Sequence, residues 1–139
     1  MAIYCEQAAH GTSVYAGWGI PMVPGHEQAT VRMTPDGGLE IRVGAHSHGQ
    51  GHETTLSQVA NEILGVDIDK VHVLHGDTAF TPYSTGTWGS RCMVMSGGAV
   101  ATACEVIGER VKAIASKLME VSSADLVLED GHVRVTGTD

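Results

Sequence analysis

Positive charge is scarce in this sequence: 8 Lys and Arg stand against 16 Asp and Glu, for a formal net charge of −8. Neutralising a nucleic-acid backbone takes Lys and Arg, so the deficit argues against a nucleic-acid binder. It leaves room for a single phosphate held by backbone N–H groups. Long hydrophobic runs are lacking, and no apolar stretch approaches the ~20 residues of a membrane span. The opening stretch from Met1 to Ser13 has neither a basic nor an apolar region of the kind a signal peptide needs. Cysteine is sparse and odd in number (Cys5, Cys92 and Cys104), without motif spacing. The expectation is a reduced, cytoplasmic chain without disulfides.

What is present reads as globular. The 139 residues fit one module, with 42% hydrophobic and 17% charged residues. Glycine is abundant, 18 in all and spread along the chain, which predicts many tight turns and close backbone approaches. Residues 1–27 show no clean periodicity and read as an irregular lead-in to a core over 28–139. Ala29–Thr34 and Leu39–Val43 alternate around the turn Pro35-Asp36-Gly37-Gly38, which predicts a hairpin. Leu56, Val59, Ala60, Ile63 and Leu64 fall at helical spacing and predict a helix from about Glu53 to Leu64, closed by Gly65. Lys70–Leu74 reads as a strand. A second helix is expected from an N-cap near Ser96 to Met119, buried along Val100, Ala103, Ile107, Val111, Ile114 and Leu118. A closing hairpin turns at Glu129–His132. The order is ββαβαββ without internal repeat, an α+β class with two helices packed on a mixed sheet.

Two loops could carry chemistry. Gly49-Gln50-Gly51-His52-Glu53-Thr54 lies between a strand and a helix. Its glycines let a ligand come close, the helix start offers unpaired N–H groups, and Gln50 can read a polar heterocycle. A tight turn with a capping residue explains the same pattern. Gly86-Thr87-Trp88-Gly89-Ser90-Arg91 repeats the arrangement ahead of the second helix, where hydroxyls, amides and one Arg suit a phosphate. A solvated connector is the plainer reading. His46, His48, His52, His72 and His75 could bind zinc or copper, but no Cys or carboxylate completes a standard pattern, and no metal site is assigned. Cys92 lacks an evident base, so a packed thiol is the simpler reading.

Taken in order, these loops resemble a known family. Glu27 to Met119, roughly two-thirds of the chain, resembles the molybdenum cofactor-binding large subunit of the xanthine dehydrogenase, aldehyde oxidase and carbon monoxide dehydrogenase family. The matching residues are Gly49 to Thr55, Gln58-Val59-Ala60, Leu64-Gly65, His75-Gly76-Asp77-Thr78, Pro82-Tyr83, Gly86 to Arg91 and Gly97-Gly98-Ala99. The resemblance implies a piece of a larger molybdopterin-binding domain, with the cofactor in its cytosine dinucleotide form. It implies hydroxylation of an aldehyde or aromatic N-heterocycle, a small-molecule substrate, with oxygen from water. Iron–sulfur clusters and FAD are implied on partner domains or subunits. By resemblance, Gln50 contacts the cofactor near molybdenum, between Gly49 and Gly51, and His48 stands beside it where another residue type is common. The positions of Thr87, Gly89, Ser90, Arg91 and Cys92 line the pterin and its phosphate.

The chain departs from that family in one respect. The family's catalytic glutamate lies in a late Gly-Glu loop, for which no segment exists here, so no catalytic residue is assigned. The expectation is a fragment that needs the rest of the large subunit, is inactive alone, and can self-associate as a homo-oligomer through faces left uncovered. The competing classes are a non-redox module for a small phosphorylated ligand and a histidine metal-binding protein.

Overall fold

The computed structural model describes residues 1–4, 8–20 and 25–138. The elements are α1 (Thr12–Gly17), β1 (Ala29–Met33), β2 (Leu39–Val43), α2 (His52–Leu64), β3 (Val71–Leu74), α3 (Cys92–Met119), β4 (Leu126–Glu129) and β5 (His132–Val135), with short 3-10 turns ahead of β3 and β4. Cys5, Pro21 and Pro24 of the lead-in lie outside the described residues.

The core is built where alternation and helical spacing agree. Leu39, Ile41 and Val43 all point inward from β2, with Val31 of β1 partly buried beside them. β2 is the central strand, pairing antiparallel with β1 and parallel with β3. A parallel pair needs a crossover, and α2 supplies it. Leu56, Ala60 and Leu64 of α2 meet Val100 and Cys104 of α3 over this sheet. The α+β class, the ββαβαββ order over residues 28–139 and the helices on a mixed sheet thus stand as expected. Burial also pushes the Cys104 thiol up to about 11, so it stays protonated. Cys92 and Cys104 are both free and buried.

Several details differ. The closing hairpin forms a separate two-stranded sheet, β4–β5, instead of joining the first. Asp130 and Gly131, its two turn residues, both have positive φ (50° and 72°), as a tight two-residue hairpin requires. The lead-in is not wholly irregular, since Thr12–Gly17 forms a six-residue helix that buries nothing. α3 begins at Cys92, one turn before the expected start, so Ser96 is no cap but a buried interior residue. Its buried seam runs along Val100, Cys104, Gly108 and Ala115, while Ile114 and Leu118 are 62% and 80% exposed. Apolar spacing marked a wider stripe than α2 and the sheet can cover. By length and composition α3 alone, among the described residues, could cross a membrane. Here one face packs on α2 and β1, as a core helix does.

Gly65 shows how closely the pieces fit. It ends α2 at φ +63°, and a Cβ there would lie 2.6 Å from the Glu129 Cα. Its carbonyl also accepts the Gly131 N–H at 2.6 Å. The end of α2 therefore docks directly on the backbone of the β4–β5 hairpin.

Candidate functional site: a cleft between two helix starts

Because β2 and β3 run parallel, their C-terminal ends deliver two loops to the same edge of the sheet. Residues 44–51 lead into α2 and residues 75–91 into α3. Thr87 ties the loops together: its hydroxyl accepts the His46 N–H at 2.8 Å and donates to the His46 carbonyl at 2.5 Å. Gly44 makes the approach possible, because a Cβ there would meet the Pro82 carbonyl oxygen at 2.5 Å.

Between the loops lies an open cleft of about 450 Å³. Seven of the residues expected to hold a cofactor line it: His48, Gln50, Thr87, Gly89, Ser90, Arg91 and Cys92. Gly49 and Gly51 do not line it but shape its wall, with φ of 102° and 76° and open space beside their α-carbons. Ser90 also adopts positive φ, at 53°, so the second loop is bent sharply toward the cleft. The Gln50 carbonyl oxygen folds back to accept the His48 N–H, which leaves its amide NH2 as the group free to donate.

Arg91 does something other than expected. Its guanidinium is 1% exposed and bonds Glu27 (3.0 Å) and the carbonyls of Gly86 (2.8 Å) and His26 (2.8 Å). Its charge is matched inside the protein by a carboxylate that is itself 2% exposed. Glu27 also accepts the Ser84 hydroxyl at 2.7 Å, and Ser84 in turn accepts the Gly86 N–H at 2.9 Å. Arg91 therefore pins the loop, and any anion in the cleft must be met by other groups. Glu27 and Ser84 carry no local motif, and no pattern in the sequence points to them.

Those other groups are the helix starts. His52 and Cys92 are the first residues of α2 and α3, and neither helix start is capped by a side chain. The Glu53 carboxylate takes its own backbone N–H in the first turn of α2, and the other first-turn N–H groups and the positive dipole ends remain available to an anion. His52 is 6% exposed and its Nδ1 has no partner among the described residues. A buried polar atom without a partner is costly, and it lies at the wall of this cleft. Burial holds the His52 imidazole below its usual range, keeping it neutral, with Glu53 opposing the shift.

The sign of that shift predicts a pH effect. The unfolded chain takes a proton on His52 near pH 6.5, where the folded chain does not. Stability is therefore full above that value and lost as pH falls below it. The urea midpoint should drop between about pH 7 and pH 5.5, and less steeply in His52→Gln. Equal pH slopes for the two proteins would overturn this assignment.

The lead-in segment closes the far side. The Ala9 N–H donates to the Gly89 carbonyl at 3.1 Å, and Tyr15 packs against Trp88 with ring centroids 5.5 Å apart. On the near side, the His46 and His75 rings meet through their Nδ1 atoms at 2.9 Å, and His75 Nε2 reaches Glu53 at 2.7 Å. These three side chains bond one another, and among the described residues no group of three or more such side chains is placed to hold one metal ion. The sequence grouped these histidines only as candidate metal ligands, and nothing in it points to the His46–His75–Glu53 contacts.

Residues 2–139 match the family model of the molybdopterin cofactor-binding domain. The large subunit of nicotine 6-hydroxylase from Paenarthrobacter nicotinovorans is 37% identical over 99% of this chain, which spans 17% of that relative. The carbon monoxide dehydrogenase large chain of Hydrogenophaga pseudoflava is 35% identical over 81% of the chain and 14% of its own length. Among solved structures, quinoline 2-oxidoreductase from Pseudomonas putida 86 superposes with a TM-score of 0.84 at 38% identity, covering 94% of this chain and 16% of that one. The residues of the cleft fit such a cofactor: its glycine walls, two uncapped helix starts and an orphaned buried imidazole suit an anionic organic group. The chain belongs to the molybdopterin cofactor-binding domain family, found in the large subunits of the xanthine dehydrogenase, aldehyde oxidase and carbon monoxide dehydrogenase group.

Proposed function

We propose that this cleft holds the pterin and phosphate end of molybdopterin, in its cytosine dinucleotide form, within a larger molybdenum hydroxylase. The observation that carries this reading is the convergence of two uncapped helix starts on the buried, unpartnered His52. An anion placed there gains the favourable ends of both helices, at about 0.3–1 kcal/mol each. The Gln50 amide reaches the molybdenum end, while Gly89, Ser90 and Cys92 present backbone and side chain to the pterin. His48, Gly49, Gly51, Thr87 and Arg91 shape the walls. The bound group would supply two-electron oxidation of an aldehyde or aromatic N-heterocycle with oxygen from water. Iron–sulfur and FAD-binding partners would take the electrons. The named relatives support this, including a carbon monoxide dehydrogenase and a nicotine 6-hydroxylase.

This chain spans about a sixth of those relatives, so the remaining large-subunit segments would complete the pocket and supply the general base. The chain alone is proposed to be inactive. Exposed Val94, Val106, Ile114 and Leu118 on α3 suit contact with those segments, or with a second copy when they are absent.

The test is molybdenum and pterin content per folded protein in the assembled enzyme. Gln50→Ala should lower activity at least tenfold, since a lost hydrogen bond with a buried partner costs about 1–3 kcal/mol. Ser90→Ala, a change that ordinary surface positions tolerate within about 0.5 kcal/mol, should release cofactor while circular dichroism stays native. Wild-type occupancy and rate in both variants would remove the basis for the assignment.

A further inference from the structure

We propose that His46, His75 and Glu53 form a proton relay between the cleft mouth at His48 and solvent, an inference that rests on the cofactor assignment above. The geometry is a continuous chain. His46 Nδ1 and His75 Nδ1 lie 2.9 Å apart, and His75 Nε2 lies 2.7 Å from Glu53 Oε1. Glu53 is half exposed, so its carboxylate opens to water. At the other end the His48 ring, which lines the cleft, packs edge-on against His46 with centroids 5.4 Å apart, so a water beside the two rings would link their nitrogens.

The proton count follows from the contacts. A carboxylate at Nε2 makes His75 donate there, which leaves its Nδ1 as an acceptor. His46 must then donate from Nδ1, and its own Nε2 carries the lone pair. A proton arriving at His46 Nε2 lets the Nδ1 proton pass to His75 Nδ1. His75 then releases its Nε2 proton to Glu53, and Glu53 passes it to water. One N–H bond forms and one breaks at each ring, and no electrons are exchanged along the chain. Both rings cannot be cationic together, because two N–H groups would then face each other at 2.9 Å. The relay therefore moves one proton at a time.

The reaction proposed above needs such an exit. Hydroxylation of R–H by water gives R–OH, two electrons and two protons. The electrons leave through the iron–sulfur partner, and the protons must leave a cleft that is open in this chain, where His46 and His48 are exposed, but that the cofactor and the remaining large-subunit segments would close to water. Imidazole is suited to the task because it titrates near neutrality and holds one proton site at each edge. Gly76 allows the arrangement, since a Cβ there would sit 2.9 Å from His46 Nδ1. The groups facing the relay are His48 and His52 on the cleft side, and Glu40, Arg42 and Asp77 around His75. Glu53 is held below the usual carboxylate range, first by its own backbone N–H and then by His75, so at rest it is an anion that orients the chain, and a proton it receives passes on quickly to water.

The experiment pairs two measurements on wild type, His75→Gln and Glu53→Gln. In the 139-residue chain, 15N-resolved histidine NMR should find His46 protonated at Nδ1 and His75 at Nε2, with the His75 tautomer lost in Glu53→Gln. In the assembled enzyme, His75→Gln should keep its molybdenum but turn over at least tenfold more slowly, with a larger solvent isotope effect and partial rescue by added imidazole. A molybdenum-replete His75→Gln enzyme at wild-type rate, or one whose loss imidazole does not relieve, would overturn the relay. Loss of molybdenum in His75→Gln would give the chain a merely structural role and overturn it too. Wild-type enzyme without molybdenum would instead defeat the cofactor assignment itself.

Discussion

Arg91→Met should destabilise the folded chain by about 3–5 kcal/mol, because it leaves the Glu27 carboxylate buried without a counter-charge. The two side chains are 1% and 2% exposed, so water cannot take the place of the guanidinium. The same change leaves the carbonyls of His26 and Gly86 without the donors that Arg91 provides. A typical domain has about 5–15 kcal/mol to lose, so the variant should unfold at far lower urea concentration. Much of the loss should return in the double variant Glu27→Leu/Arg91→Met, since removing both charges of a buried pair is often neutral. A single-variant loss under about 1 kcal/mol would mean that the pair is solvated. Whatever its stability, the variant should also hold cofactor poorly, because Arg91 fixes the carbonyl of Gly86 and with it the second loop.

Gly65→Val is the second large effect, expected at about 2–5 kcal/mol: roughly 1–2 for a left-handed conformation and 1–3 for overpacking. What the new side chain would strike is backbone, the Glu129 Cα at 2.6 Å and its N at 2.7 Å. Backbone cannot rotate away as a side-chain tip can, so the β4–β5 hairpin must separate from the end of α2. The checks are the urea midpoint and amide hydrogen exchange, which should show the hairpin losing protection before the first sheet. A Gly65→Val chain within 1 kcal/mol of wild type would show that this contact is loose in solution.

How much of this was legible depended on how local the cause was. The first hairpin announces itself because Leu39, Ile41 and Val43 alternate beside a Pro-Asp-Gly-Gly turn, and every one of those side chains is buried. α2 is equally plain, its Leu56, Ala60 and Leu64 stripe ending on Gly65. The two glycine-rich loops also met as expected, since parallel strands put both at one edge. The role of Arg91 was not legible, because its partner Glu27 lies 64 positions away in a segment without periodicity. The start of α3 was misplaced for a related reason: it has no capping side chain, and Ser96 mimics one. Ile114 and Leu118 have core spacing yet face outward, because this chain alone contains nothing to cover them.

The Thr87–His46 clasp has a consequence for how the molecule assembles. It joins positions 41 apart, and the Glu27–Arg91 pair joins positions 64 apart, whereas each hairpin closes over a few residues. Closing long segments costs more chain entropy than closing short ones, so hairpins and helices form first and the cleft last. Opened states of the native chain should lose the cleft first for the same reason. A ligand that bridges both loops binds only the finished arrangement, and by mass action it lengthens the life of the whole fold. On the proposed cofactor assignment, loading is therefore also the closing step of folding, and a chain kept empty is the one that proteases should find.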